Sequence, residues 1–147
     1  MRRLLVQRDR LRSEPPADPG PQRTQLVRRL CAELVAHMHM QEELLYPRLR
    51  TLVDDTLPID QSEAEHQCLR ALIERLVQTD SVDPMFDARL QVLAEIFDLH
   101  QRREAREVYP LMQGRSLRNL AHAMQCRREE LLLAVQASDA PEPENEE

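Results

Sequence analysis

Two short stretches of the sequence carry the residue types of a metal site in matching positions. The first, HMHMQEELLYP, runs from His37 to Pro47, and the second, HQRREAREVYP, runs from His100 to Pro110. Each begins with a histidine and ends with Tyr-Pro. Imidazole and carboxylate groups together are ligands that iron and manganese accept. The function therefore depends on which of these side chains face a common interior.

Helical phase identifies the inward residues of the first stretch. At 100° per residue, counted from Val27, His37 lies at about −80° and Gln41 at about −40°, at the edge of the apolar stripe and within it. His39 and Glu43 lie on the far side, so the tempting His-x-x-x-Glu pair that they form is expected to face solvent. The inward pair is His37 with Gln41.

The second stretch leads to the same geometry independently. Counted from Leu90, His100 lies at about −80° and Glu104 at about −40°, which places an imidazole and a carboxylate one turn apart on one face. A third histidine, His66, borders another apolar helical stripe. In an antiparallel bundle, side chains from these three helices can converge in one layer. We therefore predict four metal ligands: His37, His66, His100 and Glu104.

The elements that must position these residues are helices. Leu, Ala, Glu, Arg and Gln dominate, with no strand-like alternation. A short first segment, residues 1–12, is followed by the breaker-rich stretch SEPPADPGPQR. Further helical segments are expected at about residues 22–51, 62–79, 83–113 and 116–137. Short connections favour antiparallel neighbours, so we predict an all-α, up-down four-helix bundle with an additional C-terminal helix.

Local signals suggest where these helices begin and end. Residues 62–65, Ser-Glu-Ala-Glu, have the pattern of a capping box at a helix start, which leaves Val53–Asp60 as a loop. Asp83-Pro84 reads as a cap followed by a first-turn proline, and Ser116 as the cap of the last helix. We expect a bundle domain over residues 1–113, an appended helix over 114–137 and a disordered acidic tail over 138–147.

Composition excludes several classes of function. The net charge of −6 and the two Tyr, two Phe and no Trp disfavour a nucleic-acid partner. No apolar run is long enough for a membrane span, and no signal peptide is seen. We expect Cys31, Cys68 and Cys126 to be small buried thiols in a reducing cytoplasm. All 20 basic residues are arginine, which suggests a GC-rich bacterial genome.

HMHMQEELLYP, AEHQCLRALIERL and HQRREAREVYP together resemble the hemerythrin HHE cation-binding domain, over roughly residues 1–113. The resemblance implies an antiparallel four-helix bundle with a non-haem di-iron centre that binds O₂ or senses oxygen, nitric oxide or iron. By that likeness, His37 is the second-helix histidine, His66 the third-helix histidine, and His100 with Glu104 the fourth-helix pair.

Two ligands of the family do not carry over. Gln41 stands where the second-helix glutamate is expected, and the first segment contains no histidine. Leu4 and Leu11 match a register that places that histidine two or three residues before Met1. Either the chain begins after it or the protein lacks it. Both missing groups would serve the same iron, so we expect a mononuclear or weakened site.

Three functions remain open at this point. The first is a cytoplasmic iron-binding protein that carries or senses O₂, NO or iron. The second is a metal-free structural or interaction bundle that kept the fold. The third, a di-iron oxidative enzyme, is disfavoured because a bridging carboxylate is gone, so we expect a protein that is not an enzyme.

Overall fold

The computed structural model describes residues 21–114 and 118–138, and these form helices joined by short loops. Five α-helices occur in this part of the chain: α1 (Pro21–Met40), α2 (Tyr46–Arg50), α3 (Leu57–Val77), α4 (Pro84–Arg103) and α5 (Arg118–Ser138). A π turn, Gln41–Leu45, joins α1 to α2. A second π turn, Glu104–Val108, and a 3₁₀ turn, Tyr109–Met112, extend α4. The predicted all-α bundle with a C-terminal helix is confirmed.

Contacts between the long helices establish their directions. Arg23 at the start of α1 pairs with Asp87 at the start of α4, and further along Gln41 bonds to Glu104, so these two helices are parallel. Helix α3 runs antiparallel to both. Helix α5 runs antiparallel to α1. Its early residues Leu120 and Met124 pack near Leu45, which follows α1, whereas its later residues Leu132 and Val135 lie beside Thr24 and Arg28 near the start of α1.

The two π turns lie at equivalent positions of the repeated stretches and have a common cause. Pro47 and Pro110 lack an N–H, and in a regular helix their rings would clash with the carbonyl four residues earlier. In each turn the tyrosine before the proline instead bonds five residues back: Tyr46 N–H to the Gln41 carbonyl, and Tyr109 N–H to the Glu104 carbonyl. The widened turns therefore lie at the level of the predicted site, as π turns frequently do at functional sites.

The candidate site lies between two apolar clusters. The upper cluster, from α1, α3 and α4, is built around residues such as Leu34, Leu69 and Phe97. The lower cluster contains Leu45, Tyr46, Leu49, Ile59 and Val108. Burial of these side chains supplies the main driving force for folding. The polar layer between the clusters consists of His37, Gln41, His66, His100 and Glu104, each buried.

Some predicted boundaries differ from the structure. The prediction that α3 starts at Ser62 was wrong: the helix begins at Leu57, and Ser62 lies fully buried within it. Pro58 suits the first turn, where its missing N–H has no helical partner, and Asp55 accepts from the backbone N–H of Leu57 instead. The start of α4 is as predicted, since Asp83 accepts from Met85 N–H at 2.8 Å.

The cysteine prediction was wrong for two of the three residues. Cys31 is buried in the upper cluster, but Cys68 and Cys126 lie exposed on the outer faces of α3 and α5. The predicted first helix, the cap at Ser116 and residues 139–147 of the tail lie outside the described residues. Across residues 21–114 and 118–138, every helix is too short or too polar to cross a membrane.

Candidate metal centre

The structure brings the four predicted ligands into one buried layer. His37, His100 and Glu104 each offer a ligand atom, and these three atoms lie within 4.8 Å of one another. His66 completes the layer from α3, with its Nε2 3.2 Å from His100 Nε2. Neither His66 nor His100 nor Glu104 has measurable exposure, and His37 is 8% exposed. The side chains therefore face one another in a medium where charge is poorly solvated.

Each of the two central histidines, His66 and His100, is hydrogen-bonded through Nδ1 to a carboxylate. His66 donates from Nδ1 to Glu42 Oε1 at 2.8 Å, and His100 donates from Nδ1 to Glu65 Oε2 at 2.8 Å. A carboxylate can only accept, so Nδ1 must carry the proton in both rings. In the neutral rings, the lone pair of each is then on Nε2, and the two Nε2 atoms point at each other.

Two facing lone pairs at 3.2 Å repel unless a proton or a cation lies between them. Burial alone would lower the pKa of His100, but hydrogen bonds and charge from Glu104 and Glu65 raise it above its usual value. Burial and the neighbouring His100 lower the pKa of His66. The two facing nitrogens therefore favour a shared proton or a cation between them.

Within residues 21–114 and 118–138, Glu104 is the one buried carboxylate of the layer, and both of its oxygens have partners. Oε1 accepts from Gln41 Nε2 and from the Tyr46 hydroxyl, each at 2.8 Å. Oε2 accepts from the Tyr109 hydroxyl at 3.1 Å and lies 3.3 Å from His100 Nε2. Burial alone would raise the pKa of Glu104, yet these contacts, above all that with His100, lower it to about 2. The group is therefore an anion throughout the physiological range.

His37 differs from the other two histidines. Its Nε2 is buried and has no hydrogen-bond partner among the described residues. Burial lowers the pKa of His37 to about 4, so the ring is neutral at physiological pH. A buried imidazole nitrogen without a partner costs free energy unless something binds it. Its position beside His100 and Glu104 makes a cation the fitting partner.

These donors fit one non-haem metal ion better than two. Oε2 of Glu104, the Nε2 atoms of His66 and His100, and His37 form a mixed nitrogen and oxygen set of the kind that iron accepts. Oε1 of Glu104 already accepts two hydrogen bonds, and Gln41 offers an uncharged amide in place of a second carboxylate. Few negative charges remain to offset a second cation in this buried layer.

The remaining two histidines lie outside the layer, as was predicted for His39. His39 is exposed on the outer face of α1, and Glu43 is exposed beside it. His122 on α5 is also exposed. That the four converging residues act as ligands stays a prediction, since convergence alone does not establish binding.

Four residues of the site were missed in the sequence. Glu65 carries the signal of a helix cap, and its real partner is His100. Glu42 was not among the predicted ligands, and it accepts from His66 Nδ1. Tyr46 and Tyr109 were noted only as part of the Tyr-Pro pair that ends each repeated stretch. Both of their hydroxyls donate to Glu104. A tyrosine five residues after an inward Gln or Glu, just before proline, is the signal that could have found them.

Comparison with known protein families gives a match over most of the chain. Residues 1–112 match the family model described as the Hemerythrin HHE cation binding domain. No curated protein sequence and no solved structure matches the chain.

Proposed function

Because the chain belongs to the hemerythrin HHE cation-binding domain family, we propose that it is a non-haem iron protein that binds or senses O₂, NO or iron itself. The family match over residues 1–112 supports cation binding. The choice of iron and of a small-molecule ligand goes further and rests on the donor set. We propose binding or sensing in the cytoplasm rather than catalysis. Among the described residues, one buried carboxylate lies in the layer, whereas oxidative di-iron chemistry needs bridging carboxylates.

One observation carries this proposal: two buried imidazoles present their Nε2 atoms to each other at 3.2 Å while both Nδ1 atoms are bound to carboxylates. That arrangement is costly for a metal-free core and well suited to a cation. Iron, when bound, supplies open coordination positions and reversible redox chemistry for a diatomic ligand. The two apolar clusters exclude bulk water from the layer.

The residues of the layer have separate roles in this account. His37, His100 and Glu104, whose ligand atoms lie within 4.8 Å of one another, would hold the ion, and His66 would supply a further nitrogen from α3. Tyr46 and Gln41 orient Glu104 by donating to its other oxygen. Burial and Glu104 raise the pKa of Tyr46, so its hydroxyl stays protonated and remains a donor. The ligands that residues 21–114 and 118–138 supply are therefore proposed to bind one ion.

The test is iron content after purification without chelators, compared between wild type, His100→Ala and His39→Ala. His39 is an exposed histidine two positions from His37 and serves as the matched control. We expect His39→Ala to keep the wild-type iron content and His100→Ala to lose most of it. Equal iron in both variants would contradict the proposed ligand set.

A metal-free structural or interaction bundle is the second candidate. The observation that favours it is the hydrogen-bonding of Glu104, whose oxygens are satisfied by Gln41, Tyr46 and Tyr109 without any ion. This candidate predicts that the purified protein holds no metal and that added Fe²⁺ leaves the melting temperature unchanged. Iron binding would instead raise the melting temperature with concentration, because the ion binds the folded state.

A further inference from the structure

Each of the two central histidines, His66 and His100, is hydrogen-bonded to a glutamate that is itself paired with an arginine. The two Arg–Glu–His series have the same order of residues. In the first, Arg70 binds Glu42 through two nitrogens, at 2.9 and 2.7 Å, and Glu42 accepts from His66 Nδ1. In the second, Arg103 binds Glu65 at 2.8 Å, and Glu65 accepts from His100 Nδ1.

The residues of the two Arg–Glu–His series occupy equivalent positions on neighbouring helices. Each glutamate lies on the helix before its histidine: Glu42 on the π turn after α1 reaches α3, and Glu65 on α3 reaches α4. Each arginine lies about one turn after the histidine on the same helix. A single series of this kind would be an ordinary ion pair. Two such series, each bound to one of the two facing imidazoles, indicate that both have the same role.

Glu42 and Glu65 also differ from ordinary surface carboxylates. Their side chains are 26% and 16% exposed, whereas Glu43, the neighbour of Glu42, is 41% exposed and pairs with Arg127. A charged acceptor at Nδ1 fixes both the orientation and the tautomer of an imidazole, and increases the basicity of its other nitrogen.

We propose that Glu42 and Glu65 are positioning residues, each held by an arginine, which keep His66 and His100 in the Nδ1–H tautomer with both Nε2 atoms directed at one cation. This inference rests on the proposed function for its metal and deepens it. The histidine orientation itself does not require the metal. Arg70 and Arg103 act one step further out, by fixing the carboxylates.

The first measurement uses the metal-free full chain and reads the tautomers of His66 and His100 from ¹⁵N chemical shifts. We expect Nδ1–H in wild type, and a shift of His66 toward Nε2–H in Glu42→Ala and of His100 in Glu65→Ala. Glu43→Gln and Glu63→Gln are the matched controls, since these carboxylates pair with Arg127 and Arg50 instead. Unchanged tautomers in both alanine variants would overturn the proposal.

The second measurement is Fe²⁺ affinity in anaerobic competition with a chelator. Removing such a carboxylate typically weakens metal binding by about 10–100-fold, and we expect that loss in each alanine variant. We expect a smaller loss in Glu42→Gln and Glu65→Gln, which keep an acceptor oxygen and guard against misfolding of the alanine variants. Wild-type affinity in all four variants would overturn the proposal.

The two measurements separate this inference from the proposed function. If wild type binds no Fe²⁺ but the tautomers shift as expected, the metal function fails and the positioning of the imidazoles stands. If His100→Ala loses iron while the glutamate variants keep both tautomer and affinity, the metal function stands and the positioning role is wrong.

Discussion

Gln41 and Glu104, which occupy equivalent positions 63 residues apart in the repeated stretches, are joined by a buried hydrogen bond of 2.8 Å from Gln41 Nε2 to Glu104 Oε1. The pair connects the two π turns across the layer of histidines. A glutamate at position 41 would place two anions in contact there. The amide replaces that repulsion with a charge-assisted hydrogen bond, which stabilises the metal-free protein and leaves one carboxylate for a cation.

Gln41→Glu is expected to make the protein less stable without metal and better at holding a cation. Loss of a hydrogen bond to a charged group costs about 1.5–3 kcal/mol, which corresponds to a melting temperature lowered by roughly 5–10 °C for a chain of this size. Added Fe²⁺ should raise the melting temperature of the variant by more than that of wild type. Differential scanning calorimetry with and without Fe²⁺ measures both effects.

Gln67→Glu is the control for that substitution, because Gln67 is an exposed glutamine on α3. It should change neither the metal-free melting temperature nor the response to Fe²⁺. A Gln41→Glu variant as stable as wild type in the absence of metal would show that the hydrogen bond to Glu104 has no energetic role.

Helix α5 is expected to contribute to the stability of the lower cluster. Leu120 and Met124 are half-buried and pack against that cluster. Each truncation to alanine should cost about 1–2 kcal/mol, less than the roughly 2–5 kcal/mol of a fully buried Leu or Met, because burial is partial. Leu133→Ala, on the exposed face of the same helix, should cost little. Chemical denaturation of the three variants gives these free energies, and equal losses would contradict the packing.

The three cysteines are expected to react in two classes. Cys31 is buried, and burial raises its pKa to about 11, so its thiolate is scarce at pH 8. Cys68 and Cys126 are exposed. Native alkylation with iodoacetamide should therefore add two groups rapidly, and a third only after unfolding, as read by intact mass. Three rapid adducts in the native protein would show that the upper cluster opens readily.

Much of the fold follows from periodicity, and so does the inward direction of the key residues. His37 and His100 have the same helical phase relative to the apolar stripe of their separate helices, and both residues are buried in the same layer. This succeeds because a helix turns by a fixed angle per residue and one apolar stripe must face the core. The same argument correctly placed His39 outside.

The contacts between helices could not be obtained in that way. Glu65 has the spacing of a capping residue, and only the packing of α3 against α4 shows that it binds His100. The π turns also lie beyond simple periodicity, since each adds a residue to one turn. The inward positions of Tyr46 and Tyr109 depend on that addition.

Iron stoichiometry tests the central claim most directly. Protein purified without chelators should hold one iron per chain, bound in a mononuclear site. Its oxidised form should then lack the near-ultraviolet charge-transfer bands of an oxo-bridged pair. Elemental analysis and absorption spectroscopy on the same sample measure both. Two irons per chain with oxo-bridge absorption, or no iron even after anaerobic loading with Fe²⁺, would contradict the account.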